Sequence, residues 1–229
     1  MGATITLNRP ADGAPFEAYR APAEDVRRGG VVMLHAVWGV TPHIRQLADS
    51  FAEQGYEVIA PSLLHRFEAG FPEADTDPEG QARRVGYAQA VGWGEGVLGE
   101  VQAAIDALEP PVFAIGFCFG GTTAWLAACR CDGLAAASCF YGSHIVNHRH
   151  ERPRCPTILH FGAQDPLIPR EEIDAIAAAQ PELPIWIYEG AGHAFMAPSD
   201  HHPDGARLAR LRTLQLFHRS ASDRPDAGA

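Results

Sequence analysis

Short apolar runs alternate with helix-length segments along almost the whole chain, and this rhythm constrains the fold more than any other feature. "GGVVMLHAVWG" (29–39) is a β-branched run bounded by glycines. It is followed by "PHIRQLADSFAEQG" (42–55), where Ile44, Leu47, Ala48 and Phe51 recur at helical spacing and Gly55 stops the helix. "YEVIAP" (56–61), "PVFAIG" (111–116), "LAAASCFYG" (134–142), "CPTILHFG" (155–162) and "LPIWIYEG" (183–190) are further buried strands. Helices are expected over about 81–108, weakened in the middle by Gly86, Gly92, Gly94, Gly96 and Gly99, and over about 170–179. Strands interleaved with helices require right-handed parallel crossovers that cover both faces of a sheet. The expected fold class is therefore α/β, a three-layer sandwich with a mostly parallel central sheet flanked by helices.

The ends complete this frame. "ATITL" and "FEAYRA" suit an antiparallel ribbon at one sheet edge, and 205–218 offers Leu208, Leu211, Leu214, Leu216 and Phe217 for a closing helix. One domain over residues 1–218 is expected, with 219–229 as a loose polar tail. Residues 62–80 carry loop signals and form a candidate lid or pocket wall.

Charge and cysteine content exclude several functions. Lys and Arg total 18, all of them arginine, against 28 carboxylates. No basic patch for nucleic acid is expected, and without lysine neither a Walker phosphate loop nor a lysine Schiff base can form. Five cysteines, an odd number, suit a reducing cytoplasm better than a disulfide framework. No stretch reaches membrane-spanning length, so a soluble cytoplasmic protein with no membrane partner is expected.

In an open α/β sheet, ligands gather at the carboxyl ends of the strands. There Gly116-Phe117-Cys118-Phe119-Gly120 has the form of a nucleophile elbow, G-x-nucleophile-x-G, with cysteine in the usual place of serine. Asp165, in "HFGAQDPLIP", and His193, in "YEGAGHAF", each follow a later strand. Nucleophile, acid and histidine in that order at three strand ends form a candidate catalytic triad. The thiolate is the attacking species, so His193 must take or hold the Cys118 proton while Asp165 orients the imidazole. The expected oxyanion donors are the backbone N–H groups of Phe119 and Val37.

With these motifs the chain resembles the dienelactone hydrolase family, cysteine-dependent α/β-hydrolases. The resemblance runs through "HAVWGVTPHIRQLADSFAEQGYEVIAP", "GFCFGG", "FGAQDPLIP" and "YEGAGHAF". It implies the α/β-hydrolase fold and cleavage of a small-molecule ester or lactone through an acyl-cysteine, with no cofactor. Two positions depart from the pattern. Ala36 stands where the family carries a glutamate that handles the thiol proton, and Ala197 where it carries an arginine that grips a substrate carboxylate. Arg83 or Arg84 falls near the family's other carboxylate-binding arginine. The expectation is a preference for neutral aryl or short-acyl esters. The alternatives are a carboxymethylenebutenolidase-type dienelactone hydrolase, a promiscuous esterase with a phosphotriesterase side activity, or a thiol sensor or binding module on the same fold.

The remaining pocket candidates are His35, Trp38, Tyr141, His144 and Phe195, together with Arg83 and Arg84. Among aromatics, Phe67, Phe71, Trp93, Phe117, Phe119 and Trp125 are further candidates for its lining. The histidines at 144, 148, 150, 201 and 202 match no ordinary zinc spacing, and no metal site is expected. The oligomeric state is open.

Overall fold

β3 (Gly29–Leu34), β4 (Tyr56–Pro61), β5 (Val112–Phe117) and β7 (Thr157–Gly162) are buried at every position. Strands covered on both faces are mainly apolar, which is why the sequence shows near-continuous apolar runs there; Glu57, Thr157 and His160 are the polar exceptions, each hydrogen-bonded. The computed structural model describes residues 2–73 and 78–222. With β1 (Ala3–Asn8), β2 (Pro15–Ala21), β6 (Leu134–Phe140) and β8 (Ile185–Tyr188) these strands form one eight-stranded sheet in the order β1-β2-β4-β3-β5-β6-β7-β8. β3 through β8 run parallel, and β1 and β2 form the antiparallel ribbon at one edge. This is the α/β-hydrolase fold anticipated above.

α1 (Pro42–Ala52) starts where the Thr41 hydroxyl accepts the Ile44 N–H at 3.4 Å, and the chain reverses at Gly55, whose φ of 86° favours glycine. The long helical segment divides into α2 (Pro78–Val91) and α3 (Glu95–Asp106), broken at the glycine-containing stretch 92–94, where Gly92 has φ 59°. α4 (Phe119–Arg130), α5 (Arg170–Ala179) and α6 (Pro203–Ser222) complete the set. α6 continues through Arg219–Ser222, so the first four residues of the expected tail are helical. The rest of that tail, 223–229, and residues 74–77 of the candidate lid lie outside the described residues.

Alternation along β5 assigns the layers. Phe113 stacks on Phe217 of α6 at 4.4 Å, and Phe217 and Phe51 of α1 both meet Tyr56. Gly116, three residues on, faces the opposite side, where a Cβ would approach Ala124 of α4. α1 and α6 therefore cover one face and α4 the other, with Trp125 of α4 completely buried.

A buried polar chain ties α6 to the strands beneath it. Thr213 donates its hydroxyl to Ala209 O at 2.9 Å, so the 2.8 Å bond to Ser138 has Ser138 as donor. His160 Nε2 then donates to Ser138 at 3.1 Å, and Nδ1 accepts from the Tyr188 hydroxyl at 2.8 Å. Burial pushes the His160 imidazole down to about 3, keeping it neutral in this role.

No helix among the described residues is long and apolar enough to cross a membrane.

Candidate active site

Cys118 follows β5 directly and has φ 54° and ψ −112°, a conformation that costs a non-glycine residue strain energy. Its N–H donates to Phe140 O at 3.0 Å, and its own carbonyl accepts the Thr122 N–H at 3.1 Å to open α4. The glycines around it are a steric requirement. A Cβ at Gly116 would strike the Gly120 carbonyl, one at Gly120 the Leu34 carbonyl, and one at Gly121 the Phe140 carbonyl. The elbow thus lies wedged between β3 and β6.

Asp165 and His193 meet across the ends of β7 and β8. One carboxylate oxygen of Asp165 accepts the Leu167 N–H at 2.8 Å, and the other lies 2.7 Å from His193 Nδ1. Burial alone would push the imidazole down. The Asp165 carboxylate and the Cys118 sulfur outweigh it and raise His193 to about 10. The other ring nitrogen, Nε2, is buried and makes no hydrogen bond of ordinary geometry, although the sulfur is close enough to act on the ring. A buried nitrogen without a partner is rare in folded proteins and marks a group held ready for a reactant.

Cys118 and His193 both line a cavity of about 290 Å³. Val37 and Phe119 line it too, from the β3–α1 turn and from the first residue of α4. Phe119 is a helix-opening residue, so its N–H has no acceptor within the helix. Trp38, Tyr141 and His144 take their expected places in the wall, as do Trp93, Phe117 and Phe119 among the aromatic candidates. Tyr141 is, among the described residues, the other non-glycine residue of positive φ, at 38°, and its ring lies 5.2 Å from that of His193. His144 lies against Trp93 at 4.3 Å between ring centres, and burial lowers its pKa.

Four pocket expectations need correction. His35 is completely buried beneath the β3–α1 turn, not in the wall. Its Nδ1 lies 2.6 Å from Ala36 O, and its Nε2 accepts the Leu63 N–H at 3.0 Å. Arg84 turns away from the cavity to pair with Glu68 at 3.0 Å, and Arg83 faces the same carboxylate at 3.8 Å. α2 offers the cavity Gln81, Val85, Ala88 and Gln89 instead. Those four stand at i, i+4, i+7 and i+8, a one-face helical spacing that the sequence does display. Phe195 is completely buried, its ring 5.3 Å from Tyr141 and 5.1 Å from Tyr188, so it supports the wall from behind. Of the other aromatics, Phe67 stacks on Tyr87, Arg45 lies over Phe71, and Trp125 is core.

Ala36 and Ala197 both line the cavity, and among the described residues no arginine, aspartate or glutamate lines it. Sequence reasoning missed His43, Ser199 and Leu167, which is 60% exposed. His43 and Leu167 lie inside the quoted stretches 35–61 and 161–169, but neither is a residue type that those motifs mark for chemistry. A broader depression of about 890 Å³ lies at the β7–β8 edge beside Arg152, Gln180 and Trp186; none of Cys118, Asp165 and His193 lines it. No group of three or more potential metal-ligating side chains occurs among the described residues.

Known proteins resemble this chain in sequence and in fold. The family model described as "Dienelactone hydrolase family" matches residues 16–221. The carboxymethylenebutenolidase of Pseudomonas putida is 28% identical over 93% of this chain and 95% of its own. The "Putative carboxymethylenebutenolidase" of Synechocystis sp. is 30% identical over 82% of this chain and 84% of its own. Among solved structures, the "Putative Dienelactone Hydrolase from Klebsiella pneumoniae" superposes with a TM-score of 0.76 at 27% identity, covering 95% of this chain and 98% of the other. With an α/β-hydrolase sheet, an elbow at the end of β5 and a family match over almost its whole length, the chain belongs to the dienelactone hydrolase family, hydrolases of ester or lactone bonds.

Proposed function

We propose that the protein cleaves neutral carboxylic esters or lactones through an acyl-cysteine, with Cys118 as nucleophile, His193 as proton carrier and Asp165 as the acid that orients it. The observation that carries this reading is the buried, unpartnered Nε2 of His193, anchored through Nδ1 to Asp165 and facing the sulfur of Cys118. With His193 raised to about 10, the resting imidazole holds a proton beside the sulfur of Cys118. Ala36 offers no carboxylate to hold the thiol proton, so the imidazole takes over that task.

The thiolate attacks the carbonyl carbon, an S–C bond forms, and the carbonyl π pair moves onto oxygen. That oxyanion is received by the N–H groups of Val37 and Phe119. Its collapse expels the alkoxide, which takes the proton from His193 Nε2. Water then attacks the thioester and gives a proton to His193. The second tetrahedral intermediate collapses, and the carboxylic acid leaves as the S–C bond breaks, restoring the resting state. Each step balances with water as the only second reactant.

The preference for neutral substrates rests on a wall that, apart from Cys118 and His193, carries neutral side chains and no guanidinium among the described residues. A bidentate ion pair between a guanidinium and a substrate carboxylate would contribute about 1.5–3 kcal/mol, and no arginine among the described lining residues supplies one. We place the protein in the cytoplasm on its five unbridged cysteines.

The test is pre-steady-state hydrolysis of p-nitrophenyl acetate. A burst of one p-nitrophenol per active site is expected, absent in Cys118→Ala and His193→Ala. Iodoacetamide at pH 6 should alkylate Cys118 faster than free cysteine. Turnover that survives Cys118→Ala would sink the reading.

A further inference from the structure

We propose that His35 is a positioning residue for the hydrolysis, aiming the Val37 N–H into the cavity by holding the carbonyl oxygen of the same peptide unit from behind. This rests on the reading of Val37 as an oxyanion donor. His35 Nε2 accepts the Leu63 N–H at 3.0 Å, so that nitrogen carries no proton. The proton is therefore on Nδ1, which donates it to Ala36 O at 2.6 Å. Burial pushes the imidazole down to about 4, so this tautomer persists throughout the working pH range. The same Ala36 oxygen accepts a second donor, the Gly39 N–H, at 3.1 Å.

The consequence follows from peptide geometry. The Ala36–Val37 bond is trans, so its C=O and N–H point in opposite directions across one rigid plane. Two donors that fix the oxygen on one side also fix the N–H on the other, toward the cavity that Val37 lines. The turn is further seated on the elbow, because the space a Cβ at Gly120 would need is filled by the carbonyls of Leu34 and His35. His35 thus couples three segments, the Leu63 region after β4, the β3–α1 turn and the elbow. Its own side chain does not line the cavity.

The experiment compares His35→Leu, His35→Asn and the wild-type full-length chain. It measures ester turnover, inhibition by an aldehyde that mimics the acyl group, and alkylation of Cys118 by iodoacetamide. The aldehyde forms an S–C bond and places its oxygen where the oxyanion develops, whereas alkylation at a methylene needs no oxyanion donor. His35→Leu should lower kcat about 10- to 100-fold with KM little changed. Aldehyde affinity should weaken in step, and the alkylation rate should stay within about twofold of wild type. His35→Asn, whose amide can still donate to Ala36 O, should recover most of the loss. An unchanged kcat in His35→Leu would overturn the proposal. So would alkylation falling in parallel with turnover, or an Asn variant no better than Leu. Val37→Pro, which lacks the N–H, tests the parent reading separately: wild-type turnover in that variant would remove Val37 as a donor whatever His35 does.

Discussion

Ala197 lies four residues beyond His193 on the wall of the cavity. A guanidinium there would meet no carboxylate among the described lining residues, and it would give an anionic substrate a partner. Ala197→Arg should shift the ratio of kcat/KM for carboxylate-bearing lactones over neutral esters by about 10- to 100-fold, the span of one charge-assisted hydrogen bond. A substrate panel on both proteins measures it; an unchanged ratio would mean the pocket discriminates by shape and not by charge. At this scale the sequence was most legible where chemistry and backbone coincide. Cys118, Asp165 and His193 each stand at a strand end beside a helix-opening or turn signal. It was least legible where direction matters. Phe195 sits two residues from His193 but turns inward, and Arg83 and Arg84 share a helix with cavity residues yet face Glu68. Spacing groups residues 81, 85, 88 and 89 on one face of α2, but it does not say that this face, and not the one with Arg83 and Arg84, meets the cavity.

Two glycines show what an element asks of its residues. Gly86, inside α2, has open space where its Cβ would stand and no positive φ, so it only weakens the helix. Gly120, inside α4, has the Leu34 backbone there, and backbone cannot yield as a flexible side chain can. Gly86→Ala should therefore stabilise by about 0.5–1 kcal/mol. Gly120→Ala should destabilise by about 1–3 kcal/mol or more and displace the elbow. Urea melts of both variants read the opposite signs, and a Gly120→Ala protein as stable as wild type would contradict the close packing described. Most elements were visible from the sequence because strands buried on both faces read as near-continuous apolar runs. A weak middle in the long helical segment was visible through its glycines, but not that the break falls at 92–94, since Gly86, Gly96 and Gly99 stay helical. α6 runs past His218 because Arg219–Ser222 contain no breaker, a fact masked by their polarity.

For the molecule as a whole, three histidines set opposing limits on stability against pH. His35 and His160 are held neutral at about 4 and about 3, below the unfolded value of 6.5. The unfolded chain therefore binds more protons as pH falls, and their contribution, present above 6.5, is lost as pH falls toward 3–4. His193 is raised to about 10, so its contribution is complete below 6.5 and disappears as pH rises through 10. Since a tenfold difference in proton affinity between folded and unfolded chains corresponds to about 1.4 kcal/mol, several kcal/mol should be lost on the acid side. Denaturant midpoints from pH 4 to pH 10 should trace a dome, and replacing His160 with Gln should flatten its acid limb. A limb of unaltered slope would show that this imidazole titrates alike in both states.

The donors that join Tyr188, His160, Ser138 and Thr213 all point the same way and end on Ala209 O. A helix docked by apolar contacts alone could slip along its sheet by one turn at modest cost. Here a single threonine hydroxyl acts as an index mark. Any such slip would leave Ser138 pointing at no acceptor in the dark of the core, so the last helix can settle in one register only.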